Sequence, residues 1–263
     1  MTPYSLTNLK PVAKSTHRIA TLRNGSPLRL VRGYRVRWHL RCPLKPRIAR
    51  ASACKTTLAS QLSQSDRNTL LRQRALVLVQ QGQYNEAIAL FTQLLKQNPH
   101  SASDYNNRGL VYFQAGQMDQ AIADYNRALE INPCLDSVYN NRANYYAAQG
   151  KLVEAILDYD NAIEINPNNV RAWINQGITF RDLKMYEDAI ECFELALCFT
   201  QFEGHIYAER GRTYHLWGDW NYAVADYQRA LEHLPLETSV SMKVSVRLRS
   251  QVEGWLNDLL QVF

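Results

Sequence analysis

At 263 residues, 46% of them hydrophobic, the chain is long enough for one or two domains with a core. No stretch approaches the ~20 uninterrupted apolar residues of a membrane span. The net charge of +6 hides an asymmetry, because residues 1–65 carry 13 Lys/Arg and no acid while the remainder carries 17 Lys/Arg against 24 Asp/Glu.

The basic leader, residues 1–65, is rich in Arg, Ser and Thr and punctuated by Pro3, Pro11, Pro27, Pro43 and Pro46. That composition predicts no packed structure and is similar to an organelle transit peptide. No apolar run precedes Ala51, Ser52 and Ala53, which argues against a secretory signal and against a lipoprotein reading of Cys54. Two other readings stand beside targeting. One is an arm for nucleic acid or an anionic membrane, in which Arg35, Arg37 and Arg41 interleave with Tyr34, Val36, Trp38 and Leu40. The other is a plain extension, or an upstream stretch translated only on paper.

From Asn68 to Glu237 the chain repeats itself every 34 residues. Small Ala87, Ala121, Ala155, Ala189 and Ala223 fall in one column, and Phe91, Tyr125, Tyr159, Phe193 and Tyr227 in another. Gly82, Gly116, Gly150 and Gly218 fall in a third, and Pro99, Pro133, Pro167 and Pro235 close four units. The five units are 68–101, 102–135, 136–169, 170–203 and 204–237, a period that signals a solenoid. Within the second unit Tyr105, Gly109 and Tyr112 share one helical face, and Ala121, Tyr125 and Ala128 repeat the spacing. Gly116 separates the two runs and Pro133 stops the second, so each unit is a helical hairpin. No hairpin can bury its apolar face alone, and stacking makes the core.

Individual units depart from the pattern. Ser65 or Asp66 is the expected cap of the first helix, and the first unit is the most divergent, as expected of a solenoid end. In the fourth, Lys184 replaces the turn glycine and Gln201 the terminal proline, which predicts an irregular end at 199–204 and a small break in the stacking. In the fifth, Trp217 and Trp220 frame the turn and are expected to pack on their own helices. After Pro235, residues 238–263 hold an amphipathic stretch, about Val240 to Val262. Its stripe of Val244, Leu248, Val252, Trp255, Leu256 and Leu259 predicts a helix capping the last hairpin, or else a partner-binding helix.

Chemistry is harder to find. Five cysteines without CxxC spacing and six scattered histidines argue against a disulfide framework or a metal site. No GxSxG and no glycine-rich phosphate loop is present, so no catalytic residue, cofactor or small-molecule substrate is assigned. Asp124, Asp158 and Asp226 recur, with Arg127 or Arg229 three residues on, and read as a solvated helix face.

The unit resembles the tetratricopeptide repeat in about eight columns over residues 68–237, typified by Tyr105, Gly109, Tyr112, Ala121, Tyr125, Ala128 and Pro133. The resemblance implies an all-α fold, a right-handed superhelix of antiparallel helix hairpins. It also implies a protein-interaction scaffold that binds a peptide or partner protein on a concave surface lined by each unit's first helix. Asn107, Asn141 and Asn175 take the same place in three successive units. Asparagine costs about 0.5 kcal/mol against alanine inside a helix, so three in register ask for a reason. An amide can satisfy both the N–H and the C=O of an extended peptide. With helices ~8–10 Å apart and a peptide rising ~3.3 Å per residue, each step would meet about every third peptide unit. The arrangement resembles the asparagine ladder in the repeat domain of O-linked N-acetylglucosamine transferases, with no transferase domain here. The bland alternative has the amides bonding a neighbouring helix.

The candidate groove also includes Asn106, Asn140 and Asn144, with the cations Arg171 and Arg181 beside the ladder. A carboxylate clamp like that of chaperone-binding members matches less well. Asn106, Asn141 and Arg171 fit it, but Leu110 and Asn175 stand where an asparagine and a cation are wanted, and Glu209 would repel. The expected role is an adaptor that assembles or chaperones other proteins, soluble in the cytoplasm or imported into an organelle such as a plastid. The alternatives are a photosynthetic assembly factor and a nucleic-acid- or membrane-associated protein acting through the leader.

Overall fold

The structure, a computed structural model, describes residues 63–199, 201–234 and 243–260. The leader up to residue 62, and with it every reading of its role, lies outside the described residues, as do Val240, Val262 and the side chain of Val244. The described part belongs to one compact unit, Ala53–Phe263. Among the described residues there are eleven helices and no strand. The first hairpin is α1 (Gln64–Gln80) and α2 (Tyr84–Gln97), the second α3 (Ala102–Gln114) and α4 (Met118–Ile131), the third α5 (Asp136–Ala148) and α6 (Leu152–Ile165). The fourth is α7 (Val170–Asp182) and α8 (Tyr186–Leu197), the fifth α9 (Glu203–Trp217) and α10 (Trp220–His233), followed by α11 (Lys243–Leu260). Each hairpin packs against the next, giving the all-α superhelix that the repeat implies.

The turns explain why the hairpins form. Gly82, Gly116, Gly150 and Gly218 adopt φ of 72–93°, and in all four the following N–H bonds a carbonyl five residues back. Gln83 to Leu78, at 2.9 Å, is one such bond. It closes the helix end by satisfying an orphan carbonyl. Lys184 takes the same conformation with φ 61°, and Met185 makes the matching bond to Phe180 at 2.9 Å. A side chain there costs about 1–2 kcal/mol.

The core is built by columns. Ala87, Ala121, Ala155, Ala189 and Ala223 are fully buried, and so are Phe91, Tyr125, Phe193 and Tyr227, with Tyr159 nearly so. Helices within a hairpin approach so closely that a Cβ on Gly109 would lie 2.9 Å from the Tyr125 ring. The third hairpin manages the same place with Ala143.

Four expectations need correction. The first helix is capped by Ser63, not by Ser65 or Asp66: its hydroxyl accepts from the Asp66 N–H at 3.1 Å and the Asp66 carboxylate answers on the Ser63 N–H. In the fourth hairpin α8 ends early and Phe202 turns left-handed at φ 59°, yet stacking is unbroken, because Ile206 is fully buried in one cluster with Val170, Ile174, Ala189 and Phe193. Trp217 and Trp220 are about two-fifths exposed, and Trp217 stacks on Tyr186 of the preceding hairpin at 6.3 Å. The fourth correction concerns charge. Asp124, Asp158 and Asp226 are buried rather than solvated, for a reason given below.

In the stretch after Pro235, α11 packs on the fifth hairpin. Leu248, Val252 and Leu259 of α11 are buried in one cluster with Ala208, Ala223, Tyr227 and Ala230. Trp255 is half-buried, its ring 5.8 Å from that of Tyr227 and the Arg212 guanidinium 4.3 Å from its centre.

Among the described residues the cysteines are unpaired: Cys134 and Cys198 exposed, Cys192 buried. Burial, and after it the nearby charge of Glu191, pushes the Cys192 thiol up to about 12. The thiolate is the reactive form. Iodoacetamide at neutral pH is therefore expected to label Cys134 and Cys198 in the folded chain and to spare Cys192 until denaturant is added. Cys192 and Cys198 share the tryptic peptide 185–210, so fragmentation of that peptide reads the site of labelling, and Cys192 labelling at the rate of Cys134 would contradict it.

Candidate functional site

The first helices of the hairpins carry the candidate groove, and a buried polar staple fixes how each one sits. In the second hairpin Arg108 forks onto Asp124 with bonds of 2.7 and 2.8 Å, and its third nitrogen donates to Thr92 of the preceding hairpin at 3.1 Å. Tyr105 and Tyr112 flank the guanidinium with centroids at 5.5 and 5.6 Å. The third hairpin repeats this with Arg142, Asp158 and Asn126, between Tyr139 and Tyr146. The fifth repeats it with Arg210, Asp226 and Glu194, between Tyr207 and Tyr214. Forked, ring-flanked arginine pairs of this kind are the strong ones. For Arg108 and Arg142 the hydrogen bond to the aspartate is the main force raising the guanidinium above its ordinary range.

The fourth hairpin changes all four residues together, to Trp173, Gln176, Phe180 and Cys192. The link survives without the arginine: Gln176 donates to Asp160 of the preceding hairpin at 2.6 Å and accepts from the Cys192 thiol at 3.5 Å. Burial raises the Asp160 carboxyl, and the Gln176 bond opposes that in part.

On the groove side the asparagines form a network between hairpins. The Asn141 amide donates to Asn106 at 3.0 Å. Asn175 donates to Asn140 at 3.2 Å and to Asn144 at 3.1 Å. Asn144 also accepts from the buried Tyr159 hydroxyl at 2.6 Å. Asn106 and Asn140 are buried beneath this layer. Asn107 makes no side-chain hydrogen bond among the described residues. Two of the three ladder amides thus donate to the first helix of the preceding hairpin, Asn141 once and Asn175 twice, which holds them in place; the Asn141 carbonyl accepts from Asn140 at 3.4 Å, and that of Asn175 has no donor among the described residues.

Asn140, Asn141, Asn144, Arg171 and Asn175 line one cavity of about 740 Å³. Asn106, Asn107 and Arg181 do not. Arg181 is instead locked to Glu209 at 2.6 Å, with its side chain 10% exposed, so it is not the open cation that the sequence suggested. Arg171 is: it is exposed, lies 5.6 Å over the Phe202 ring, and has no carboxylate within ion-pair distance among the described residues. Sequence reasoning missed how the cavity is closed, by Phe202, by His233 and Leu234, and by Leu248 reaching over from α11. The irregular 199–204 segment was the available signal for Phe202. For Leu248 there was none, since nothing local in α11 says which hairpin it meets. His233 is tied to Glu203 at 3.0 Å. The arrangement offers one rigid amide carbonyl without a donor, that of Asn175, one open cation and apolar ground at Ile174, Leu234 and Leu248. That suits an extended polypeptide. Among the described residues no group of three or more potential ligands is placed to hold a metal ion.

Family models described as tetratricopeptide repeat match residues 72–133, 137–169 and 158–191. No curated protein matches the sequence. Among solved structures, a tetratricopeptide-repeat protein of Thermus thermophilus is similar at 20% identity and TM-score 0.61, covering 72% of this chain and 99% of its own. PilW, a type IV pilus biogenesis factor, is similar at 18% identity and TM-score 0.61, covering 75% and 94%. MamA is similar at 20% identity and TM-score 0.53, covering 65% and 98%. At these identities the likeness is one of fold.

Proposed function

Since the chain is a tetratricopeptide-repeat protein, whose fold is that of interaction scaffolds, we propose that it is a non-catalytic adaptor. In this reading it takes an extended segment of a partner protein into the cavity between its second and fifth hairpins and so helps to assemble a complex. One observation carries the reading: the groove amides are fixed by helix-to-helix hydrogen bonds while still lining the cavity. Binding then costs little ordering of the site. With its N–H groups spent on Asn140 and Asn144, Asn175 presents its carbonyl oxygen and so reads an N–H group of the partner. Arg171 takes a carbonyl or carboxylate, and Ile174 and Leu234 take an apolar side chain. Among the described residues no helix is long and apolar enough to cross a membrane.

The test uses partners retained by the immobilised chain and identified by mass spectrometry, with titration calorimetry on each. Arg171→Ala should weaken binding by about ten- to a hundredfold, as loss of a charge-assisted hydrogen bond of about 1.5–3 kcal/mol implies, without moving the melting temperature. Asn175→Ala should weaken binding and also lower stability by about 1–2 kcal/mol, because two interhelical bonds are lost. Asn107→Ala, outside the cavity, should change neither appreciably. Undiminished binding in both Arg171→Ala and Asn175→Ala would remove the groove reading.

A further inference from the structure

We propose that the turn edge of the fourth and fifth hairpins is a homodimer interface, on which a second copy of this chain packs about a two-fold axis. The starting point is a comparison of the chain with itself. Where the first three hairpins place Gln81, Ala115 and Gln149 at the turn, the fourth and fifth place Leu183 and Trp217. Where they place Gln80, Gln114 and Ala148, the fifth has Leu216; where they place Glu86, Gln120 and Glu154, it has Tyr222. All five hairpins close with a left-handed residue at the same place and the same backbone bond. Polar residues therefore suffice for the fold, and the large apolar ones at the fourth and fifth turns answer to something else.

These side chains are open to solvent: Leu183 36%, Met185 42%, Leu216 53%, Trp217 44%, Trp220 41% and Tyr222 60%. The Tyr186–Trp217 stack joins the two turns into one edge. At roughly 200 Å² per large side chain, these exposures leave on the order of 550 Å². Two such surfaces meeting would bury about 1,100 Å², enough for a specific interface of modest size. Scattered exposed hydrophobics need no explanation, but a joined set of this extent does. Its tryptophan, tyrosine and methionine are the types that interfaces favour.

Charge selects the occupant. The fourth turn carries the exposed cation Lys184, in a column where every other hairpin has glycine, and it holds a strained left-handed backbone there. Such strain at an exposed place points to use of the side chain. The fifth turn carries Asp219, one column on. A two-fold axis between the two turns lays the fourth turn of one copy on the fifth of the other. Lys184 then meets Asp219 twice, at opposite rims, with the aromatic residues between them. A self-complementary patch of this kind is what a two-fold interface requires. An anionic bilayer fits poorly, because Asp182, Glu187, Asp188 and Asp219 outnumber Lys184 along the edge.

The full chain should show a mass that rises from monomer to dimer with concentration in sedimentation equilibrium and light scattering. The triple variant Leu216→Ala, Trp217→Gln, Tyr222→Glu installs the residues of the third hairpin at the same places. It should sediment as a monomer with unchanged helical circular dichroism. Lys184→Asp and Asp219→Lys should each weaken the dimer by about tenfold, and the two together should restore it. Asp219 precedes α10 without a side-chain capping bond, so its replacement breaks no cap. A chain that stays monomeric at every concentration overturns the proposal, and so does a dimer indifferent to the triple variant. Failure of the paired swap to recover the dimer overturns the two-fold arrangement. Binding to phosphatidylserine vesicles that the triple variant loses, with no self-association, would overturn it in favour of a bilayer.

Discussion

Replacing Asp158 by alanine is expected to lower the unfolding free energy by about 3–5 kcal/mol, the penalty for leaving a buried charge without its counterion. The Arg142 side chain is 20% exposed and that of Asp158 only 6%. Without the carboxylate, the guanidinium stays between Tyr139 and Tyr146 with Asn126 as its remaining hydrogen-bond partner. The fourth hairpin supplies the control. Gln176 and Cys192 occupy the corresponding places there and link the corresponding three elements without an ion pair. The double variant Arg142→Gln, Asp158→Cys should therefore recover most of the loss, because it removes the stranded cation along with its partner. Urea melts are the right measurement, since guanidinium chloride would itself screen the pair. A single-variant cost within the ~0–1 kcal/mol of a surface pair would show that the staple is effectively solvated.

Val252→Asp should cost a similar amount, about 3–5 kcal/mol, for a different reason. Val252 is fully buried in the cluster with Ala208, Ala223 and Tyr227, so the new carboxylate would be placed among apolar side chains and away from water. The expected result is release of α11 from the fifth hairpin, with Trp255 fluorescence shifting towards that of an exposed indole. Exposed Asn257→Asp on the same helix should leave stability nearly unchanged. If α11 served only as a handle for partners, Val252→Asp would not move the melt of the repeats. Trp255→Ala is a weaker probe than its place on the apolar stripe suggests, because its ring is half-buried and one face holds the Arg212 guanidinium.

The repeat made most of the fold legible. A column of alanines and a column of rings at one spacing can be satisfied only by identical hairpins, and the second helices duly begin at Tyr84, Met118, Leu152, Tyr186 and Trp220. The polar interior was less legible. Reading Asp124 beside Arg127 used the helical spacing of neighbours, but its partner Arg108 lies 16 residues upstream across the turn. A signal existed, since the fourth unit loses the arginine and the aspartate together. The asparagine column was visible, but not which atoms it spends. Bonds such as Asn175 to Asn140 span 35 residues, one more than the period, and depend on how far successive hairpins rotate. No sequence spacing contains that rotation.

The missing arginine in the fourth hairpin has a consequence for how the array breathes. In a linear array each hairpin is held mainly by its neighbours, so opening proceeds in blocks rather than all at once. Hairpins two, three and five are each riveted by an ionic fork, while the fourth hangs on Gln176 and Cys192. Among hairpins two to five the weakest seam therefore runs through α7 and α8, and amide hydrogens there should exchange with deuterium ahead of those in α5 and α6. The cavity straddles this seam, with Asn141 on one side and His233 on the other. A ligand seated across it would tie the two blocks together, and slower exchange in α7 and α8 would report occupancy without any label on the ligand.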